Sequence, residues 1–156
     1  MTTYRRMSSP VGELLLAGDE HAITAILFEG NAPEPGWSEG TTSPLQEAAA
    51  QLAAYFAGER RAFELPLAPR GTPFQRRVWD ELLRIPYGET ISYGELARRV
   101  GNANASRAVG LANGQNPLPI VVPCHRVIGA NGKLTGYGGG LPIKARLLEL
   151  ERPSLF

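Results

Sequence analysis

The hexapeptide PLAPRG at residues 66–71 separates two kinds of sequence, and the change across it constrains the fold more than any other feature. Before it, TYRRMSSP, GELLLAGD and AITAILFEG are short runs rich in strand formers, parted by Pro-Val-Gly and Asp-Glu-His breaks. That is the pattern of an antiparallel meander. A loop rich in Gly, Pro, Glu and Thr follows over residues 31–43, and PLQEAAAQLAAYFAGE then puts Leu45, Ala49, Leu52 and Phe56 on one helical face, between Pro44 and Gly58. FELPL at residues 63–67 reads as a last short strand.

Beyond the hexapeptide the period becomes helical. TPFQRRVWDELLRIP carries Phe74, Val78, Leu82 and Ile85 near helical spacing, opens at Thr72-Pro73 and closes before Pro86. Ser92 can cap YGELARRV, Gly101 stops it, and SRAVGLANGQ supplies a second helix, which together make a helix-turn-helix. ANGKLTGYGGG looks like a Gly-rich hairpin, and PIKARLLELE, opened by Pro142, a final helix. The expected organisation is an α/β domain with an antiparallel sheet over residues 1–70 and a mostly helical domain over residues 71–156.

Charge divides at the same place. Residues 1–70 hold 5 Arg against 9 acidic side chains, a net −4, whereas residues 71–156 hold 11 Lys and Arg against 6 acidic ones, a net +5. A basic second half suits a polyanionic partner. No apolar run approaches the roughly 20 residues that a membrane span needs, and the N-terminus lacks a secretory h-region, so the expected location is the cytoplasm, at the nucleoid.

The chain has a single cysteine, Cys124, within IVVPCHRVIG. One thiol makes no internal disulfide, and with only His21 and His125 as imidazoles a zinc site is poorly supplied, so neither metal nor cofactor is expected. A thiol flanked by valines can be an inert core residue. A reactive one needs a base, and adjacent His125 is the nearest; because neighbouring side chains point apart, a water-bridged relay is expected between them. Glu149 and Glu151 are the carboxylates available to orient the imidazole, and spacing does not choose between them. In the second helix of the pair, Ala108, Gly110, Ala112 and Gly114 leave little bulk beside Arg107, which suits close entry into a narrow DNA groove.

From TPFQRRVW through IPYGETISYGELA, RAVGLANGQNP, PCHRV and GYGGG to KARLLELE, the second half resembles the 6-O-methylguanine-DNA methyltransferases, the direct-reversal repair proteins. The resemblance implies an N-terminal α/β domain with a ribonuclease-H-like sheet and a winged-helix-like DNA-binding and catalytic domain containing the helix-turn-helix. Cys124 matches the alkyl acceptor, His125 its water-relayed base, Glu151 the orienter and Asn116 a hinge asparagine supporting the active-site turn. Tyr93 matches a phenol that assists the flipped guanine, and Lys144 a lysine that assists departure of the guanine oxygen. Arg107 matches the side chain that replaces the flipped base, with Ala108, Gly110, Asn113 and Gly114 beside it on the DNA-binding helix. The carbonyls of Cys124 and Val127, with Tyr137, Gly138 and Gly139, would line the pocket.

The implied partner is double-stranded DNA carrying alkylated guanine, met from the minor groove by a monomer, with cooperativity on DNA left open. Two departures matter: the zinc ligands of some relatives are missing, and the tryptophan that replaces the acceptor in non-catalytic cousins is absent, since Cys124 is present. A lesion sensor with a structural thiol and a papain-like hydrolase are the competing functions.

Overall fold

The computed structural model describes residues 1–152, and the chain splits into two compact units, Met1–Arg70 and Gly71–Phe156. In the first unit, β1 (Thr3–Met7), β2 (Leu14–Gly18), β3 (Ile23–Leu27) and β4 (Ser38–Glu39) form one sheet in the order β3-β2-β1-β4. β1 and β2 pair antiparallel from Met7 opposite Leu14 to Thr3 opposite Gly18. The turn between them is closed by Ser9 Oγ donating to Gly12 O at 2.6 Å, with Gly12 at φ +103°. Central β2 is buried along its whole length, as a continuous LLLAG run predicts.

α1 (Ser43–Phe56) begins where Thr42 Oγ1 accepts from Leu45 N at 3.4 Å, with Pro44 in its first turn, where a missing N–H costs nothing. Gly58, at φ +77°, ends it.

Four sequence expectations change in this unit. The apolar face of α1 is Leu45, Ala48, Leu52 and Tyr55, rotated from the expected set, with Ala49 and Phe56 left half-buried. Each large side chain fully buried there contributes about 1.5–3 kcal/mol. The segment 31–43 contains β4, which lies parallel to β1, so the sheet is mixed rather than purely antiparallel. Two residues are too short to show a period. FELPL makes no strand, only an isolated bridge between Ile23 and Leu67. Pro66 has no N–H to extend a ladder, and the Glu64 backbone is taken up by a side chain: Gln51 Nε2 donates to Glu64 O at 3.1 Å while Gln51 Oε1 accepts from Glu64 N at 2.9 Å.

The second unit is built on α2 (Pro73–Leu82), α3 (Tyr93–Arg99), α4 (Ser106–Gly114) and α5 (Leu141–Glu151). Thr72 and Gln75 form a reciprocal capping box at the start of α2. Val78, Trp79 and Leu82 are its buried face, and Ile85 is buried just beyond it. Phe74, expected in that face, is 38% exposed because the first turn of α2 lies beyond the core. Trp79 Nε1 donates to Ala112 O at 2.9 Å and ties α2 to α4. Ser92 caps α3, its Oγ accepting from Glu95 N at 3.0 Å. The reversal between α3 and α4 turns at Gly101, φ +92°.

A two-residue ladder pairs β5 (Ile91–Ser92) parallel to β6 (Val127–Ile128), anchoring both sides of the segment that carries Cys124. The Gly-rich stretch after β6 contains no strands. It is a loop whose tight turn is closed by Gly129 N donating to Lys133 O at 2.9 Å, its composition giving no side-chain surface for a ladder to bury.

Candidate active site

The segment from Asn116 to Cys124 is folded back on itself around one side chain. Asn116 Nδ2 donates to Val122 O at 2.8 Å, and its Oδ1 accepts from Leu118 N at 2.9 Å. Within the loop so formed, Ile120 sits at φ +75°, the only positive-φ residue other than glycine among the described residues. A β-branched residue in that region costs on the order of 1–3 kcal/mol and persists only where the surroundings over-determine it. Here Ile120 is buried and Val122 N donates to Leu118 O at 2.9 Å across the turn. The turn delivers Cys124 as the first residue of a single 3-10 turn, Cys124–Arg126, with β6 directly after it.

Cys124 is 5% exposed. Burial pushes its thiol above the usual range, while side-chain hydrogen bonds from Asn116 and Tyr137 and the charge of Lys144 pull it back. In the free protein the sulfur is therefore held protonated. His125 is fully buried beside it, and its Nε2 lies 2.7 Å from Glu151 Oε2. A carboxylate only accepts, so Nε2 carries the proton and Nδ1 carries the lone pair. Nδ1 has no protein partner among the described residues, which leaves it as the free base of the imidazole. Burial lowers the His125 pKa, with Glu151 opposing that shift, so the ring is neutral and able to take a proton.

Of the two carboxylates that spacing left open, Glu151 is buried against His125 and Glu149 is exposed. Arg126, which sequence reasoning passed over, pairs with both oxygens of Glu151, Nε to Oε1 at 2.7 Å and Nη2 to Oε2 at 3.0 Å. Its Nη1 donates to Ile85 O at 2.7 Å, and its guanidinium lies 5.7 Å from the centre of the Tyr87 ring. The signal was available: a carboxylate placed in a core requires a countercharge, and Arg126 follows His125 directly.

Lys144 is fully buried on α5, its Nζ donating to Val127 O and to Thr135 O, both at 2.7 Å. Burial lowers its pKa, with the neighbouring Cys124 opposing. Tyr93, at the start of α3, donates its hydroxyl to the same Thr135 carbonyl at 3.2 Å. Thr135 was not anticipated; a backbone acceptor leaves no trace in side-chain chemistry.

An open cleft of about 610 Å3 separates α4 from the loop at residues 135–138, with Tyr93, Arg107, Gly110, Gly114, Tyr137 and Gly138 on its walls. Gly139, expected with them, is half-buried next along the loop. Arg107 and Ala108 are exposed on α4, and so is Leu111, at 64%. Packing does not demand the two glycines of α4. A Cβ at Gly110 would make ordinary contact with the Tyr93 ring at 3.6 Å, and one at Gly114 would meet nothing within 4 Å. Inside the helix, Gly110 still costs about 1 kcal/mol relative to alanine, whereas Gly114 is its last residue.

Asn113 departs from its expected place on the DNA-facing side. It is 2% exposed on the opposite face of α4, beside buried Val109 and Ala112, and its Nδ2 donates to Cys124 O at 3.3 Å. Its position, two residues beyond Leu111, turns it about 200° round the helix from that exposed side chain. The structure thus brings Asn116, Tyr137 and Lys144 to the Cys124 thiol, pairs Glu151 with His125, joins Lys144 to the carbonyls of Val127 and Thr135 with Tyr93 on the latter, and leaves Arg107 and Ala108 exposed on α4 with Gly110 and Gly114 on the cleft wall. No group of three or more His, Cys, Asp or Glu able to hold a metal occurs among the described residues.

The ribonuclease-like domain of 6-O-methylguanine DNA methyltransferase matches residues 2–69, and the DNA-binding domain of the same proteins matches residues 73–153. The methylated-DNA–protein-cysteine methyltransferase of Mycolicibacterium paratuberculosis is 56% identical over 155 residues, covering 97% of this chain and 93% of its own. That of Methanosarcina acetivorans is 54% identical over 152 residues, covering 95% and 97%. A crystal structure of Mycobacterium tuberculosis OGT in complex with DNA superposes with a TM-score of 0.91 at 53% identity, covering 96% of this chain and 92% of the other. With two matched domains, close relatives over nearly the full length and a shared fold, the chain belongs to the 6-O-methylguanine DNA methyltransferase family.

Proposed function

We propose that the protein repairs DNA by taking the alkyl group of a 6-O-alkylguanine onto its own Cys124, once per molecule. The observation that carries this reading is the buried thiol beside an imidazole whose Nε2 is committed to Glu151 and whose Nδ1 is free. Through a bridging water, Nδ1 takes the thiol proton. The imidazolium so formed is stabilised by Glu151, itself held by Arg126. The thiolate then attacks the alkyl carbon, an S–C bond forms as the C–O bond breaks, and the electron pair leaves on the guanine, where a proton neutralises it. Tyr93 and Lys144 stand nearest for that proton, provided that Tyr93 turns its hydroxyl from Thr135 O to the base.

An ordinary thiol at pH 7 forfeits about 2 kcal/mol to deprotonation. Burial raises that cost here, while the hydrogen bonds of Asn116 and Tyr137 and the charge of Lys144 work against it. A thioether has no water-labile bond, so the product state is final. The lesion is reached by base flipping, with α4 entering the minor groove and Arg107 taking the place of the extruded guanine. Gly110 and Gly114 let the helix approach the backbone of the duplex. The protein acts as a monomer, without cofactor or metal, at the nucleoid in the cytoplasm; none of its described helices is long and apolar enough to cross a membrane.

Intact-mass analysis after incubation with a methylated duplex tests the reading. One methyl group gained per protein, located at Cys124, is expected. An unchanged mass, or repeated turnover of an ester or amide by the same thiol, overturns it.

A further inference from the structure

After Met1, Leu111 is the most exposed large apolar side chain among the described residues, at 64%. A single exposed leucine is ordinary on a protein surface; the place of this one on α4 is not. It follows Arg107 by one turn and lies about 40° from it around the helix axis. On the other side of Arg107, at about 20° and 60°, Gly114 and Gly110 wall the cleft. Exposed Gln115 and Ala108 continue from Leu111 away from the cleft. Arg107 thus stands at the boundary between the cleft and an open face, and Leu111 is the one apolar side chain of any bulk on that face.

From this placement we infer that Leu111 is a DNA-binding residue, an apolar wedge that packs between the walls of the minor groove beside the flipped nucleotide. The inference rests on the proposed function and deepens it. The cleft takes the extruded base, Arg107 fills the gap it leaves, and Leu111 meets the part of the duplex that stays paired.

Charge and bulk both favour a groove as its partner. Between Glu95 and Glu149 the chain carries no acidic residue, so nothing in that stretch repels phosphates on either side of the helix. A row of bulky side chains would keep α4 out of a narrow groove, whereas one leucine among Ala108, Gly110 and Gly114 fits it. Between the two rows of phosphates lie sugar and base edges, into which leucine and methionine are among the side chains that wedge. Such a contact releases water from apolar surface and no counterions, so its share of the affinity is independent of salt.

The test follows single-turnover transfer of the methyl group against protein concentration, from a duplex and from a single strand that both carry 6-O-methylguanine. The proteins compared are the wild type, Leu111→Ala, Leu111→Asn and Leu111→Met. Because Leu111 is exposed, none of these changes removes core packing. With the duplex, alanine and asparagine should raise the half-saturating protein concentration about tenfold, the worth of partly burying one leucine side chain. Methionine should stay within about twofold of the wild type. With the single strand, which has no groove, all four proteins should agree within about twofold. Across a salt series the slope of affinity against salt should be the same for Leu111→Ala as for the wild type. An unchanged duplex affinity, an asparagine variant that matches the wild type, an equal loss on the single strand or an altered salt slope each overturns the inference and leaves the repair function standing. A wild type that transfers the methyl group from neither substrate removes the function itself.

Discussion

The two units bury very different things. Among the described residues, the first keeps one polar side chain in its core, Gln51, whereas the second buries Asn113, His125, Arg126, Lys144 and Glu151. In the first unit Gln51 does structural work, replacing a ladder partner for Glu64. In the second, His125 and Arg126 lie on the turn that carries Cys124, Lys144 and Glu151 on α5, and Asn113 on α4 with its amide on the Cys124 carbonyl. Burying charge is expensive and contributes little to net stability even when well paired. The contrast teaches that the second unit gives up stability to fix a buried thiol among polar partners, and the first does not.

The sharpest way to break the contrast is to remove the thiol. Cys124→Ala should reduce transfer to nothing measurable by intact mass. Affinity for unmodified duplex should stay within about twofold, because phosphate and groove contacts, made elsewhere, set it. Residual transfer in this variant would mean that the buried cluster serves some other end.

Next in size is the countercharge. Glu151→Gln leaves Arg126 buried without its anion and should destabilise the second unit by about 3–5 kcal/mol in denaturant unfolding. Gln51→Leu, which strips two hydrogen bonds from Glu64, should cost the first unit about 1–3 kcal/mol. Equal losses would erase the distinction between a core that packs and a core that positions.

How much of this was legible in the sequence follows the same division. The strands of the first unit and the register-setting turns were readable because apolar runs and breakers are local signals. β4 and the bridge at Leu67 were not, because they depend on neighbours distant in sequence. In α1 the sequence period was right and the face was off by part of a turn, since Ala and Leu alternate so densely that several stripes look apolar.

In the second unit the motif carried the acceptor, its base and its orienting carboxylate by resemblance, while residue spacing alone left Glu149 and Glu151 equal. Arg126, Thr135 and the inward turn of Asn113 escaped. Each acts through a backbone atom or a buried partner, and α4 is so short of bulky side chains that its two faces look alike in sequence. Only the packing of Val109 and Ala112 shows which way Asn113 turns.

Arg107→Ala sharpens the contrast within the second unit itself, between the exposed face of α4 and its buried one. Transfer from a lesion in duplex DNA should slow by about one to two orders of magnitude, the share of a few-kcal/mol flipping cost that one inserted side chain recovers. Reaction with free alkylguanine base, which has nothing to unstack, should be nearly unchanged. Rapid-quench measurement on both substrates separates the cases, and equal slowing would take Arg107 out of the flipping step.

The smallest expected effect is a difference in acid sensitivity. Burial lowers the His125 pKa in the folded state, so between its ordinary value of about 6.5 and that lower value the unfolded chain binds a proton that the folded one does not. Stability of the second unit should therefore decline as pH falls below about 6.5 and level off once the folded imidazole also titrates. The groups facing that ring are Glu151, Arg126 and Lys144, of which Glu151 opposes the shift and the two cations reinforce it. In the first unit the shifted group is Asp19, exposed and lowered by the backbone N–H groups of His21 and Ala22. Its contribution is present above its ordinary value of 3.8 and is lost only as pH drops through the lower folded value. Hydrogen exchange of the β2 and α5 amides between pH 7.5 and pH 5, corrected for intrinsic rates, should show α5 losing protection while β2 holds. Replacing His125 with asparagine should abolish the difference, and a β2 that loosens in step with α5 would show that the two cores are not distinguished by what they bury.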